Sequence, residues 1–126
     1  EIDIGGETPL FLIATHLHHV EADHHIRLEE VPVLLDLWGE RPLTVLVGDL
    51  NAKPDWEEMK LIYDAGLIDA WLETGEGDGF TWPAAEPDKR IDWSWHPADP
   101  VAVRAQVVRT QASDHLPVLA VIDRAP

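Results

Sequence analysis

A carboxylate and a carboxamide stand two residues apart in Gly48-Asp49-Leu50-Asn51, directly after the apolar run Leu43-Thr44-Val45-Leu46-Val47. Such a pair at the exit of a buried strand is suited to handling charged oxygens, and neither side chain belongs in a core. Gly48 lets the backbone turn sharply, which predicts that Asp49 and Asn51 face one side. Asp and Asn are also ordinary turn residues, so the tetrapeptide alone is weak evidence for a site. Further acid and imidazole groups stand at predicted strand ends: Asp92, Asp114 with His115, and Thr15-His16. Asp92, flanked by Ile91 and Trp93, would be costly to bury unpaired, which predicts a His or Arg partner for it.

Other chemistry-bearing residues have plainer readings. The cluster His16, His18, His19, His24 and His25 invites an HxHxDH zinc motif, but Val20 and Glu21 occupy the positions that need Asp and His. His18 and His19 can still line a pocket, whereas His24 and His25 read as solvated residues at a helix start. Arg90 reads equally well as a surface charge or as a phosphate contact. Trp82, Trp93 and Trp95 read as packing residues, because no basic residues interleave them as a base-stacking platform requires.

The elements that must position these groups follow from hydrophobic pattern. Residues 10–17 and 43–47 read as strands, and Leu28, Val31, Leu34, Leu35 and Trp38 fit a helical period over about 23–38. Pro32 removes a backbone donor there and predicts a kink or two short helices. Asp55 with Glu58 resembles a capping box for a helix through Ala65, stopped by Gly66. A helical turn at 67–72 and a flexible loop at 73–79 follow. Arg90–Trp95 reads as a strand with two indoles on one face, and Val101, Val103, Ala105 and Val107 mark another through 108. Residues 118–122 make the last. This order predicts a mixed α/β fold of the α+β type, with helices on one side of the sheet.

The composition, 126 residues and 45% hydrophobic, is that of one globular domain, and the apolar stretches are too short to span a bilayer. With 24 acidic against 9 basic residues the formal net charge is −15, which counts against tight sequence-independent binding of DNA. The absence of cysteine excludes a thiolate zinc site and leaves a cytoplasmic or a secreted location equally open.

Taken together, THLHH at 15–19, GDLNA at 48–52, RIDWSW at 90–95 and SDHLPV at 113–118 resemble, in order and spacing, the latter half of the endonuclease/exonuclease/phosphatase superfamily. FTWP at 80–83 is similar to a segment of a bacterial branch. The resemblance implies half of a two-sheet α/β sandwich, its sheet mixed and mainly antiparallel, and hydrolysis of phosphate esters with Mg2+ or Mn2+. It implies that His115 contacts the scissile phosphate and Asp92 orients its imidazole. It further implies that Asp49 positions or deprotonates the attacking water, with a share in metal binding, and that Asn51 binds the phosphoryl group. Asp114 is expected to help hold the metal, and His16, with His18 and Arg90, to bind substrate. These residue types suit the chemistry, since a carboxylate-held imidazole is a better cation and a metal lowers the pKa of water.

Family members are about twice as long, and their first half supplies an Asn and a metal-binding Glu for which nothing before Leu10 has room. Residues 1–126 are therefore expected to be the C-terminal portion of one such domain, with an incomplete metal site. Trp93-Ser94-Trp95 departs from the family's aromatic-then-aliphatic pattern. The substrate is left open between nucleic acid, lipid and small phosphoester. The rival expectation is a non-catalytic half-domain that associates through its exposed sheet face.

Overall fold

The computed structural model describes residues 1–124. Strand β1 (Phe11–His16) leads through a 3-10 turn (Glu21–Asp23) into helix α1 (His24–Trp38), followed by β2 (Thr44–Asp49) and α2 (Glu57–Asp64). Then come β3 (Ile68–Asp69), α3 (Ala70–Thr74), β4 (Asp92–His96), β5 (Val101–Val107) and β6 (Val118–Asp123). Four strands form one sheet in the order β1-β2-β4-β3, while β5 and β6 form a separate two-stranded sheet. Only β1 and β2 pair in parallel; the other pairings are antiparallel. The fold is thus mixed α/β and mainly antiparallel, and the last two strands leave the sheet that holds the others.

Alternation along the strands sorts the four-stranded sheet into two faces. Ile13, Leu46, Trp93 and Trp95 point to one face and pack against Val31, Leu34 and Trp38 of α1 and Met59 and Ile62 of α2. The two indoles stack 4.9 Å apart at 14°, as the spacing of Trp93 and Trp95 predicts. The other face carries Leu12, Ala14 and His16 of β1, beside Val45, Val47 and Asp49 of β2. At its far end, His16 pairs in register with Asp49, and Asp49 with Asp92. Three chemistry-bearing residues on three strands therefore form one row at the sheet's edge.

Several elements differ from their sequence expectation for physical reasons. Helix α1 runs unbroken through Pro32, which lies on the exposed side of the helix. Helix α2 begins at Glu57 with Trp56 as an uncapped N-cap, because Glu58 turns inward to a buried ion pair with Arg27 instead of closing a capping box. Gly66, at φ +93°, ends that stretch as expected. Residues 67–72 divide between β3 and α3, the latter capped by Asp69, which accepts from Trp71 N at 2.9 Å. In β5 a bulge between Ala102 and Arg104 breaks the expected alternation, so Ala102 and Ala105 are buried and Val103 is 52% exposed.

Gly48 serves a tighter purpose than a sharp turn. Its φ is +152°, and a Cβ there would lie 1.8 Å from the carbonyl oxygen of Thr15 on β1. Only glycine lets the two strands approach closely enough to place His16 beside Asp49.

Candidate active site

The turn after β2 fixes the first pair of groups. Asn51 adopts φ +49°, a left-handed conformation that Asn tolerates better than most residues. Its backbone N–H donates to Asp49 Oδ1 at 2.9 Å, and its side-chain Nδ2 donates to the Leu17 carbonyl at 3.0 Å. One carboxylate oxygen of Asp49 is thereby tied down. The other, Oδ2, lies 3.5 Å from His16 Nε2 and 3.8 Å from His115 Nε2.

The second pair comes from β4 and the turn before β6. Asp92 Oδ2 lies 2.9 Å from His115 Nδ1 and also accepts from Thr81 Oγ1 at 2.6 Å. Two partners thus hold the carboxylate, and the carboxylate holds the ring with its Nε2 toward Asp49. Buried Thr81 also accepts the Leu116 N–H on its carbonyl at 2.8 Å, which ties the FTWP segment to the His115 turn. Ligand atoms of Asp49, Asp92 and His115 all lie within 4.8 Å of one another.

Electrostatics follow from that crowding. Burial pushes the Asp49 carboxyl above its usual range, and the charge of Asp92 adds to this, while the Asn51 N–H, His115 and His16 pull it down. For His115, desolvation opposes the cation, but the hydrogen bond and charge of Asp92, then Asp49 and Asp114, outweigh it and raise the pKa. Two partly buried carboxylates share this end of the sheet, and the charge of Asp92 helps raise the Asp49 pKa. That donor set fits a hard divalent cation whose other ligands are water and phosphate oxygens.

The remaining expected residues fall differently. His16 is well exposed at the cleft rim, with its side chain 67% accessible. His18 turns its Nε2 to Asp23 Oδ2 at 3.1 Å and does not line the cleft; its neighbour His19 does. Asp114 is exposed, accepts from Ser113 Oγ at 3.3 Å and stands outside the Asp49–Asp92–His115 cluster. Arg90 is corrected most sharply. It is 4% exposed and donates to buried Asp69 Oδ2 at 2.7 Å, with its guanidinium 4.1 Å from the Trp93 ring centre. The Tyr63 hydroxyl donates to the same carboxylate, and burial together with Asp69 pushes the phenol up to about 12. Arg90 therefore holds β4 to β3 and is not free to meet a phosphate.

The cleft, about 400 Å³, also draws in Glu21, Lys53, Trp56 and Lys89, which motif reading passes over, and Trp82, which it reads as packing. Lys53 directly follows GDLNA and Lys89 directly precedes RID, so scarce lysines beside motifs in an acidic chain were the available signal. Thr81 lies within the FTWP segment, but motif reading assigns it no role beside Asp92.

Comparison with known structures reproduces this fold. A conserved protein of unknown function from Enterococcus faecalis V583 superposes with a TM-score of 0.81 at 23% identity, covering 97% of this chain and 53% of that one. The mannosyl-6-phosphatase Bt3783 of Bacteroides thetaiotaomicron VPI-5482 superposes at 0.79 and 17% identity, covering 90% and 51%. The human Nocturnin catalytic domain with bound sulfate does so at 0.69 and 18% identity, covering 89% and 46%. The chain thus spans about half the length of these relatives. No protein with a curated description matches the sequence. The sequence profile of the endonuclease/exonuclease/phosphatase family matches residues 9–115, and the chain belongs to that family.

Proposed function

We propose that this chain carries the hydrolytic half of a divalent-metal-dependent phosphoesterase site, as the C-terminal portion of a longer domain. The observation that carries this reading is the Asp49–His115–Asp92 arrangement at one sheet edge, with Nδ1 of His115 held at 2.9 Å. An imidazole fixed by a carboxylate on one nitrogen presents the other as a donor to a non-bridging phosphate oxygen. The raised pKa of His115 keeps that donor charged further up the pH scale. Asp49 Oδ2 faces the same space and accepts the proton of the attacking water, and its raised pKa makes it a stronger base than an ordinary carboxylate. The Asn51 carboxamide, anchored through Nδ2 to Leu17, lies beside the phosphoryl position, and His16 contacts the substrate at the rim. Asp49 and Asp92 would hold Mg2+ or Mn2+, which when bound supplies charge neutralisation of the phosphate. The Asp114 charge acts on the site through His115.

The test is hydrolysis of a generic phosphodiester by the 126-residue chain with magnesium or manganese. Two carboxylates are a sparse metal set, so slow turnover is expected, abolished by chelation and by His115→Ala. Unchanged turnover in His115→Ala would remove the mechanism. The second reading, a non-catalytic half-domain that self-associates, is favoured by exposed Leu12, Val103, Leu119 and Val121 on the strands.

A further inference from the structure

Lys53 and Lys89 come from different parts of the chain, one after β2 and one before β4, yet both ammonium groups converge on a single carboxylate. Lys53 Nζ lies 3.9 Å from Glu21 Oε1, and Lys89 Nζ lies 3.5 Å from Glu21 Oε2. Each lysine also rests against an indole of the cleft, Lys53 at 5.3 Å from the Trp56 ring centre and Lys89 at 4.9 Å from that of Trp82. Both lysine side chains are about two-thirds buried, at 35% and 28% exposure, whereas Glu21 is 60% exposed. The lysines are therefore held in place by the cleft wall, and the anion between them is the loosely held member. The lysines of this chain are at 53, 60 and 89 only, against a net charge of −15, so two of them facing one cleft is a concentrated positive spot in a negative molecule.

Among the described residues the ion pairs of Lys53, Lys89 and Glu21 do not include Asp49, Asp92 or His115, which the preceding reading assigns to the scissile phosphate, while the Trp82 ring, 6.4 Å from that of His115, borders both groups. We propose that Lys53 and Lys89, backed by Trp56 and Trp82, form a second anion subsite in the same cleft, and that the substrate is a phosphate ester bearing a second phosphoryl group. Glu21 holds the subsite when no substrate is present and is displaced when that group enters. Charge-assisted contacts to two ammonium groups then select a doubly phosphorylated compound over a singly phosphorylated one. This inference rests on the hydrolytic reading for the position of the scissile phosphate, but its test needs neither metal nor turnover.

The experiment titrates the metal-free 126-residue chain with inorganic pyrophosphate and, separately, with orthophosphate, following tryptophan fluorescence and heat of binding. Pyrophosphate is expected to bind at least about tenfold more tightly than orthophosphate, a preference that charge-assisted contacts of this kind can supply. Lys53→Gln with Lys89→Gln should abolish that preference, Glu21→Gln should tighten pyrophosphate binding, and Lys60→Gln, on an exposed helix position, should change neither. A wild-type chain with no preference, or a preference that survives the double lysine substitution or falls equally in Lys60→Gln, overturns the proposal. Failure of phosphodiester hydrolysis while the lysine-dependent preference stands would instead count against the hydrolytic reading alone.

Discussion

At His115, desolvation and three carboxylates act in opposite directions, and the carboxylates prevail. Replacing Asp92 by Asn removes both the strongest hydrogen-bond acceptor and the nearest charge. The His115 pKa should fall in the metal-free chain, readable as a shifted imidazole titration by NMR; an unmoved titration would mean Asp92 does not govern the ring. The linkage sign follows from the raised pKa. Stability from the His115 cation is full below the ordinary value of 6.5 and is lost as pH rises through the folded-state value. Asp49 acts in the same direction over a more acidic window: its raised pKa favours the protonated form, so folding gains as pH falls through that value toward 3.8. Gly48→Ala places a Cβ against the Thr15 carbonyl in a strained φ, and a loss of about 3 kcal/mol or more is expected in urea unfolding. A variant as stable as the parent would show that β1 and β2 can part without cost. At this scale Asp49 and Asp92 were legible because each sits at a strand end, where register brings them together, and His115 because a carboxylate so placed needs a partner, which the turn before β6 supplies. His18, Arg90 and Asp114 were not, since Asp23, Asp69 and Ser113 claim them through contacts that no motif encodes.

Between α1 and α2, Arg27 does for an element what Asp92 does for a ring. Its Nε donates to Glu58 Oε1 at 3.0 Å, while Nη1 donates to the carbonyls of His18 and Val20 at 3.1 and 2.9 Å and Nη2 to that of Glu21 at 3.3 Å. Both members of the pair are buried, at 0% and 1% exposure, and the loop they grip delivers His19 and Glu21 to the cleft. Glu58→Gln leaves a buried guanidinium without its counter-ion and should cost about 3–5 kcal/mol in chemical denaturation. Arg27→Met with Glu58→Leu should recover much of that stability while loosening the loop, seen as faster amide exchange at residues 18–21. Equal exchange in the double variant would show that the loop is held by other contacts. Hydrophobic period located the helix that bears Arg27 but assigned this position no role, because a charged residue on an apolar face has meaning only beside its partner. The same limit explains β5: a bulge shifts the alternation so that Ala102 joins Ala105 inside and Val103 turns out, and alternation cannot foresee an inserted residue.

Over the whole molecule two opposed terms decide whether copies associate. Exposed Leu119 at 46% and Val121 at 42% lie along one side of β6, with Val103 at 52% in the bulge of β5 and Leu12 at 42% on β1. A net charge of −15 repels a second copy. That repulsion is screened within about 8 Å at physiological salt, whereas burial of apolar surface is not weakened by salt. Self-association is therefore expected at micromolar concentration and should strengthen as sodium chloride rises, the reverse of an interface built on ion pairs. Sedimentation velocity across a salt series reads this directly. Leu119→Lys with Val121→Lys should return the chain to monomer, because each substitution places a charge in the strand face that would be buried. A compact monomer at all salt concentrations that binds no hydrophobic dye would mean that these strands are adequately covered by the chain itself, and the association reading would fall while the cleft chemistry stood.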